Sequence, residues 1–545
     1  MTKITPSQKI ALLILCFLLF EGGIFAYTAT TYITPFYPRF FDQIQYLRES
    51  YLAYQDMQLN GLWSAIYSSL SNQVAQGVWH DFVALLSMSV FGPHRISALL
   101  VNFIWLIFFQ LALFFVTLSA TRNNSVAWLS FLMPLLIQGI WRPDVGGALY
   151  DFRLDHLAMC MMGLTIISCL KTEGFTNRKW SIIFGLLVSL TITGRFLTSV
   201  YFGLIYALLF GVLLFNQDRK TRIGNLLLSA FAAIPLVAIF FTHNWVRIYN
   251  YYLVNHMVGT EKVARSSGLN SLETFQYISI NGLYKFQGPI FFILFMLIFL
   301  VYFFSSRNAK QIELNKVFFS PLFSWWRIIG FIFFVSPMIV LSFESEAQNA
   351  VLSILTPGIV IFLLSLVIPF YLSMQMARIT LSKALLLLIT IFSIFNFTSS
   401  NLKFSDFKEF SSNANKVNQI ADFIYQYSIN HDSSIKIATN RVVEFLDANI
   451  QRTVIYERHG KWLSLEGTLP AGLIEVPNNE IYERLKNSDL AFSIEGPAIT
   501  RGFPSELQMQ LLQREFIKIY QENFKVLNSV NIFDKQLTIY ERLEE

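Results

Sequence analysis

Apolar runs long enough to cross a bilayer recur through the first 400 residues, and they constrain the fold more than any other feature. The first runs from Ile10 to about Ala29. About twenty apolar residues span the hydrocarbon core as a helix, and inside that layer only a helix or a closed barrel satisfies its own backbone. Counting such stretches predicts about eleven transmembrane helices, the last near Ala384 to Asn396. Composition agrees, because charged residues are 14% of the chain and hydrophobic ones 54%, against roughly 25% charged in a soluble domain. The first run is too long for a signal-peptide core and shows no small-residue cleavage site before Tyr32, so it reads as an uncleaved span.

The basic residues fall in alternate connectors: Arg122, then Lys171, Arg178 and Lys179, then Arg219, Lys220 and Arg222, then Arg307, Lys310 and Lys316, then Arg378 and Lys383. That alternation places those connectors and the N-terminus in the cytoplasm and the C-terminus outside. The net charge of +6 is thus spread over topology determinants, which argues against nucleic acid as a partner. Cys16, Cys160 and Cys169 all lie in apolar segments, so neither a disulfide framework nor a thiolate metal site is indicated.

Two regions follow. Residues 1–400 form a membrane domain with a large first outer loop at 32–95, and residues 401–545 form a soluble extracytoplasmic α/β domain. In the second region apolar runs shorten to strand length. Helical patterns at 407–428, 440–449, 479–487 and 505–523 alternate with strand-like KIAT, TVIYE, LAFSI, FKVLNSVNIF and QLTIYER. No glycine-rich nucleotide loop or catalytic triad is visible.

Candidate chemistry gathers in the outer loops. Asp42, after Phe40 and Phe41 and before the amphipathic turns of Ile44, Tyr46, Leu47 and Tyr51, reads either as a catalytic carboxylate at the membrane surface or as the cap of a helix starting at Gln43. The second outer loop, WRPDVGGALYDFRLDHLAM, concentrates Asp144, Asp151, Asp155, Arg142, Arg153 and His156. Charge at this depth marks a functional site by default. Asp151 and Asp155 are four apart, so on a helix they would share a face and could hold a divalent cation, or Arg153 could neutralise both. Arg195 ends the fifth span and suits a phosphate headgroup, with interfacial snorkelling as the plainer reading. Arg95 reads as an interfacial anchor after the break at Gly92 and Pro93. A third outer region, His243 to Gln287, interleaves Arg247, Lys262, Arg265 and Lys285 with Tyr249, Tyr251 and Tyr252. It could grip a sugar phosphate or form only an interfacial apron. Pro357 would kink the tenth span.

These marks together resemble the GT-C superfamily of membrane glycosyltransferases, near the protein mannosyltransferase and lipid A aminoarabinose transferase branch. The resemblance rests on Asp42 with Tyr46 one turn on, the helix ending Phe91-Gly92 with Arg95, Asp155 one span before Lys171, the GLLVSLTITGR segment, and a tail ending TIYERL. Where that family usually has an acidic pair in the first loop, this chain has Asp42-Gln43. Where it often has Lys-Pro-Pro, this chain has Val78-Trp79-His80-Asp81, leaving His80 as the substitute.

The resemblance implies a polyprenyl-phosphate sugar donor and a lipid, glycan or protein acceptor whose hydroxyl Asp42 acts on, with inversion at the anomeric carbon. Donor phosphate would meet Arg195, His80, Arg265 and Lys285. No cofactor is required in this scheme; a divalent cation on Asp151 and Asp155 stays open. The competing class is a lipid-linked sugar flippase, although the repeated halves and midplane breaks of transporters are not seen.

Overall fold

The computed structural model describes residues 6–39, 41–72, 74–258, 270–288, 296, 320–343, 349–377, 379–402, 407–431, 434–470, 475–495 and 504–543. Among these, seven helices are long and apolar enough to cross a membrane: Gln8–Ile33, Arg95–Thr121, Leu154–Lys171, Arg219–Val254, Pro321–Ser342, Val351–Leu372 and Ser382–Leu402. Shorter apolar helices at Asn124–Leu136 and Thr198–Leu214 accompany them, as does Arg178–Gly194. An apolar stretch counted between the third outer region and Arg307 lies outside the described residues. The molecule is a polytopic helical membrane protein with a C-terminal module built on a small sheet.

The elements around the site are α1 (Pro6–Thr28), α2 (Phe41–Asn60), α3 (Leu62–Ser71), α4 (Trp79–Phe91), α5 (Arg95–Thr121), α6 (Asn124–Leu132), α7 (Gln138–Trp141), α8 (Leu154–Lys171), α9 (Arg178–Gly194), α10 (Thr198–Leu214) and α11 (Arg219–Ile248). Buried Phe, Leu and Ile side chains from α1, α5, α6, α8, α9, α10 and the later spans form one continuous core. Leu12, Leu15 and Leu19 on α1, by contrast, stand exposed, as apolar residues do where the solvent is lipid.

The long connector at 32–95 folds into three helices, α2, α3 and α4, with Gly61 separating α2 from α3. Gly92 ends α4 as anticipated. Two other expectations give way. Residues 243–254 continue α11 as one apolar helix that passes into a π-helical turn at Tyr249–Val258, so they are not loop. Pro357 stands in the first turn of its helix, where a missing N–H costs nothing, and the proline inside that helix is Pro369.

The C-terminal module carries a five-stranded sheet in the order β2-β1-β3-β5-β4, from β1 (Ile435–Thr439), β2 (Leu465–Gly467), β3 (Leu490–Ile494), β4 (Phe524–Ile532) and β5 (Lys535–Arg542). β1 runs parallel to β2 and β3, and β5 antiparallel to β3 and β4. Central strand β3 is buried almost throughout, as a strand covered on both faces must be. Leu490, Phe492 and Ile494 pack with the Phe407–Ile429 helix, while Ala491 packs with Ile481, Met509 and Phe516. TVIYE, read as a strand, lies instead inside the helix Ala448–His459, whose N-cap Asp447 accepts from the backbone of Asn449 and Ile450.

Candidate active site at the end of the helical bundle

Residues 142–153 make a compact turn before α8. Asp151 accepts the Gly147 N–H at 2.6 Å. Gly147 has φ of 72° there, a conformation that a side chain disfavours. Arg153 is extended, with φ −120° and ψ 158°. Asp151 therefore precedes the helix and Asp155 lies in its first turn, so they do not share a helix face as the spacing suggested. Each has its own arginine: Arg153 Nε is 2.5 Å from Asp151 Oδ2, and Arg195 Nη2 is 3.2 Å from Asp155 Oδ1. Arg153 was expected to balance both; it bridges Asp151 and Asp42 instead. No group of three or more His, Cys, Asp or Glu gathers in metal-binding geometry among the described residues.

Asp42 sits in the first turn of α2, and its Oδ2 accepts from Arg153 Nη1 at 2.9 Å. The Asp42 side chain stays 62% exposed while that of Arg153 is only 11% exposed. A buried guanidinium thus fixes one oxygen of an accessible carboxylate. Burial pushes the Asp151 carboxyl up to about 6, despite the attraction of Arg153, which leaves it ionised at neutral pH. Burial opposes the charge on Arg153, but Asp151, Asp155 and Asp42 together hold it above the ordinary arginine range.

One helical turn beyond Asp42, the Tyr46 hydroxyl donates to Gln76 Oε1 at 2.5 Å. The same oxygen accepts from Arg195 Nη1 at 2.5 Å, and Gln76 Nε2 donates to Tyr251 Oη at 2.6 Å. Arg195 is therefore forked between Asp155 and Gln76 with its side chain only 15% exposed, which is not a simple snorkelling arrangement. Gln76 reaches it because residues 76–78 lie against the end of α9: Val78 N–H donates to Thr193 O at 2.9 Å and Phe196 N–H to Gln76 O at 2.6 Å. Gly77 is required in between, since a Cβ there would stand 2.0 Å from Gly194 O. Beside Asp155 and Arg195 lies a recess lined by Thr198, Tyr201 and Ser353, with about 10 Å³ free, enough for about one water.

His80 is fully buried, its ring stacked 3.8 Å from that of Phe152 and edge-on to Tyr46. Burial lowers its pKa to about 3, so it is a neutral imidazole that can offer a hydrogen bond but no charge. Lys285 stands exposed on the π-helical segment Ser279–Phe286 and joins none of these pairs. Arg265 lies outside the described residues.

Arg95 is not an interfacial anchor. It is 3% exposed and makes a two-pronged ion pair with Glu457 of the C-terminal module, its Nε 3.0 Å from Oε1 and its Nη2 on Oε2. The Tyr51 hydroxyl donates to the same Glu457 Oε1 at 2.6 Å. Sequence reasoning missed Glu457 and Gln76, neither of which carries a local signal.

Spans, the helices of residues 41–91 and the C-terminal sheet module together make up a polytopic helical membrane fold. Two solved structures share it over nearly the whole chain. ArnT from Cupriavidus metallidurans in the apo state superposes with a TM-score of 0.57 at 11% identity, covering 99% of both chains. ArnT from the same organism bound to undecaprenyl phosphate superposes with 0.57 at 12% identity, covering 97% of both. No protein-family model and no curated protein sequence matches the chain.

Proposed function

We infer that this protein is an integral-membrane glycosyltransferase that moves a hexosyl or pentosyl unit from a polyprenyl-phosphate donor to an acceptor hydroxyl. The reaction is placed at the outer face of the cytoplasmic membrane. The observation that carries the reading is the exposed Asp42 carboxylate held by buried Arg153, with Arg195 linked to the same helix through Gln76 and Tyr46. The full-length likeness to an ArnT bound to undecaprenyl phosphate supports the donor class.

In this scheme the acceptor oxygen attacks the anomeric carbon and gives its proton to Asp42 as the bond to phosphate breaks. The phosphate leaves with the bonding electron pair, and a single displacement inverts the anomeric centre. Arg195 receives the leaving phosphate, exchanging Asp155 for the new oxyanion, because its fork matches phosphate geometry and stays charged. His80 acts as a neutral donor nearby, and Arg265 and Lys285 serve as cations at the rim. No cofactor is needed, and a divalent cation would have to displace Arg153 or Arg195 from Asp151 or Asp155.

The test is reconstitution of the purified protein in vesicles with a polyprenyl-phosphate-linked sugar and cell-envelope acceptor lipids or glycans. Formation of a glycosylated acceptor with release of polyprenyl phosphate supports a transferase. Movement of intact donor between leaflets without product would make the protein a flippase instead.

A further inference from the structure

The C-terminal module holds the helix that carries Asp42, and it holds it at several points. Glu457, on the Ala448–His459 helix, bonds Arg95 and Tyr51 across 362 and 406 residues of sequence. Tyr51 lies on α2, nine residues beyond Asp42 in the sequence, and its ring rests 4.9 Å from that of Tyr456. Arg95 also donates from Nη1 to the carbonyl of Ile33 at 3.2 Å, just before the stretch that leads into α2. Asn418 donates to the carbonyl of Pro35 at 2.8 Å. Phe36, Tyr37 and Ile44 are buried in the same cluster as Ala414, Val417 and Ile420 of the C-terminal module, not in the membrane core. The chain on both sides of Asp42 is therefore packed against residues that come some 370 positions later.

Two properties make this more than general adhesion between modules. The Glu457–Arg95 pair is bidentate and nearly buried, with side chains 13% and 3% exposed, so its direction as well as its strength is fixed. Asp42 itself is exposed and ion-paired with Arg153 from the first turn of α2, so its position depends on where α2 is held.

We propose that Glu457 is a positioning residue: through Arg95 and Tyr51 the C-terminal module sets the placement of α2 and thereby the approach of Asp42 to its substrate. This rests on the transferase reading for its catalytic consequence, but the mechanical part does not.

The experiment uses the full-length protein in lipid nanodiscs, as wild type and as Glu457→Gln, Tyr51→Phe and Asp42→Asn. Glu457→Gln keeps the shape and an acceptor for Tyr51 while removing the charge. Tyr51→Phe removes one hydroxyl and keeps the ring on Tyr456, so a folded variant is available if the first proves unstable. Two quantities are read: hydrogen exchange of the amides in 33–51, and transfer from a polyprenyl-phosphate sugar over a range of donor concentrations. Both positioning variants are expected to raise exchange in 33–51 about tenfold and to lower kcat by a similar factor with donor KM nearly unchanged, the size that loss of one buried hydrogen bond produces. Asp42→Asn is expected to lower kcat with exchange unchanged.

Unchanged exchange in both positioning variants overturns the proposal, whatever the activity. Raised exchange with wild-type kcat also overturns it, because the module would then hold α2 without governing Asp42. If the wild type transfers no sugar, the transferase reading fails, and the exchange measurement alone decides whether Glu457 holds α2.

Discussion

At Asp42 one carboxylate oxygen is occupied by Arg153 and the side chain remains open to whatever arrives at the surface. That division suits a base which must be oriented and yet reachable. Asp81 is the opposite case. It lies in the first turn of α4, half-buried, with Ser50 Oγ 3.4 Å from its Oδ1. Burial, with Glu49 adding repulsion, raises its pKa to about 8. A carboxyl whose folded pKa is raised binds more protons folded than unfolded, so its cost to stability grows as pH rises from about 4 towards 8 and then levels off. Asp81→Asn keeps an acceptor for Ser50 and removes that cost. Melting of the purified variant between pH 5 and 9 should show a stabilisation that grows up to about pH 8; a gain independent of pH would refute the assignment. Sequence spacing singled out Asp42, Asp151, Asp155 and Arg195 as candidates, but the pairing it offered, Arg153 with both Asp151 and Asp155, is not the one found. Asp151 and Asp155 look like helical neighbours four apart, yet the extended backbone at Arg153 turns them to different arginines.

The contact of residues 76–78 with the end of α9 brings Gln76 to Arg195, and it depends on the absence of a side chain at Gly77. Gly77→Ala must push the two backbones apart, because the atom in the way is the carbonyl of Gly194. We expect the variant to lose at least tenfold in donor affinity and to be destabilised by about 1–3 kcal/mol, the usual cost of forcing an extra methyl group into a packed contact. Titration with undecaprenyl phosphate and thermal melting check both, and wild-type values would show that this contact does not govern Arg195. Elements were legible where periodicity was strong: the spans, the Phe407–Ile429 helix and strands β1, β3, β4 and β5 all fall near their expected places. TVIYE was misread because its β-branched residues mimic a strand, whereas Ile450, Val454 and Ile455 present a helical face to the core around β1 and β3. The Gln76 and Glu457 contacts join distant segments through polar residues with no repeating pattern.

On the scale of the molecule, we propose from the alternation of basic connectors that the C-terminal module lies on the outer side of the membrane. Cysteines introduced at exposed Ser464 and Thr176 in intact cells should therefore differ, with an impermeant thiol reagent labelling the first and not the second. Labelling at Thr176 alone would invert the orientation. The class of fold was readable from apolar segment length, because a bilayer leaves few ways to satisfy a backbone. Assembly of the site from the first loop, the turn before α8 and the end of α9 was only partly readable, because ion pairs across 111 residues, as between Asp42 and Arg153, leave no spacing to detect. What unites these parts is the claim that Asp42 takes the acceptor's proton. The direct measurement is turnover of purified Asp42→Asn in lipid, with undecaprenyl phosphate binding followed separately. Asn preserves size and a hydrogen bond to Arg153 but cannot take up a proton near neutral pH. The account predicts unchanged lipid binding and a loss of turnover of at least about a hundredfold, the usual effect of removing a general base. Turnover near that of the wild type would contradict it, and the catalytic carboxylate would then have to be sought at Asp151 or Asp155.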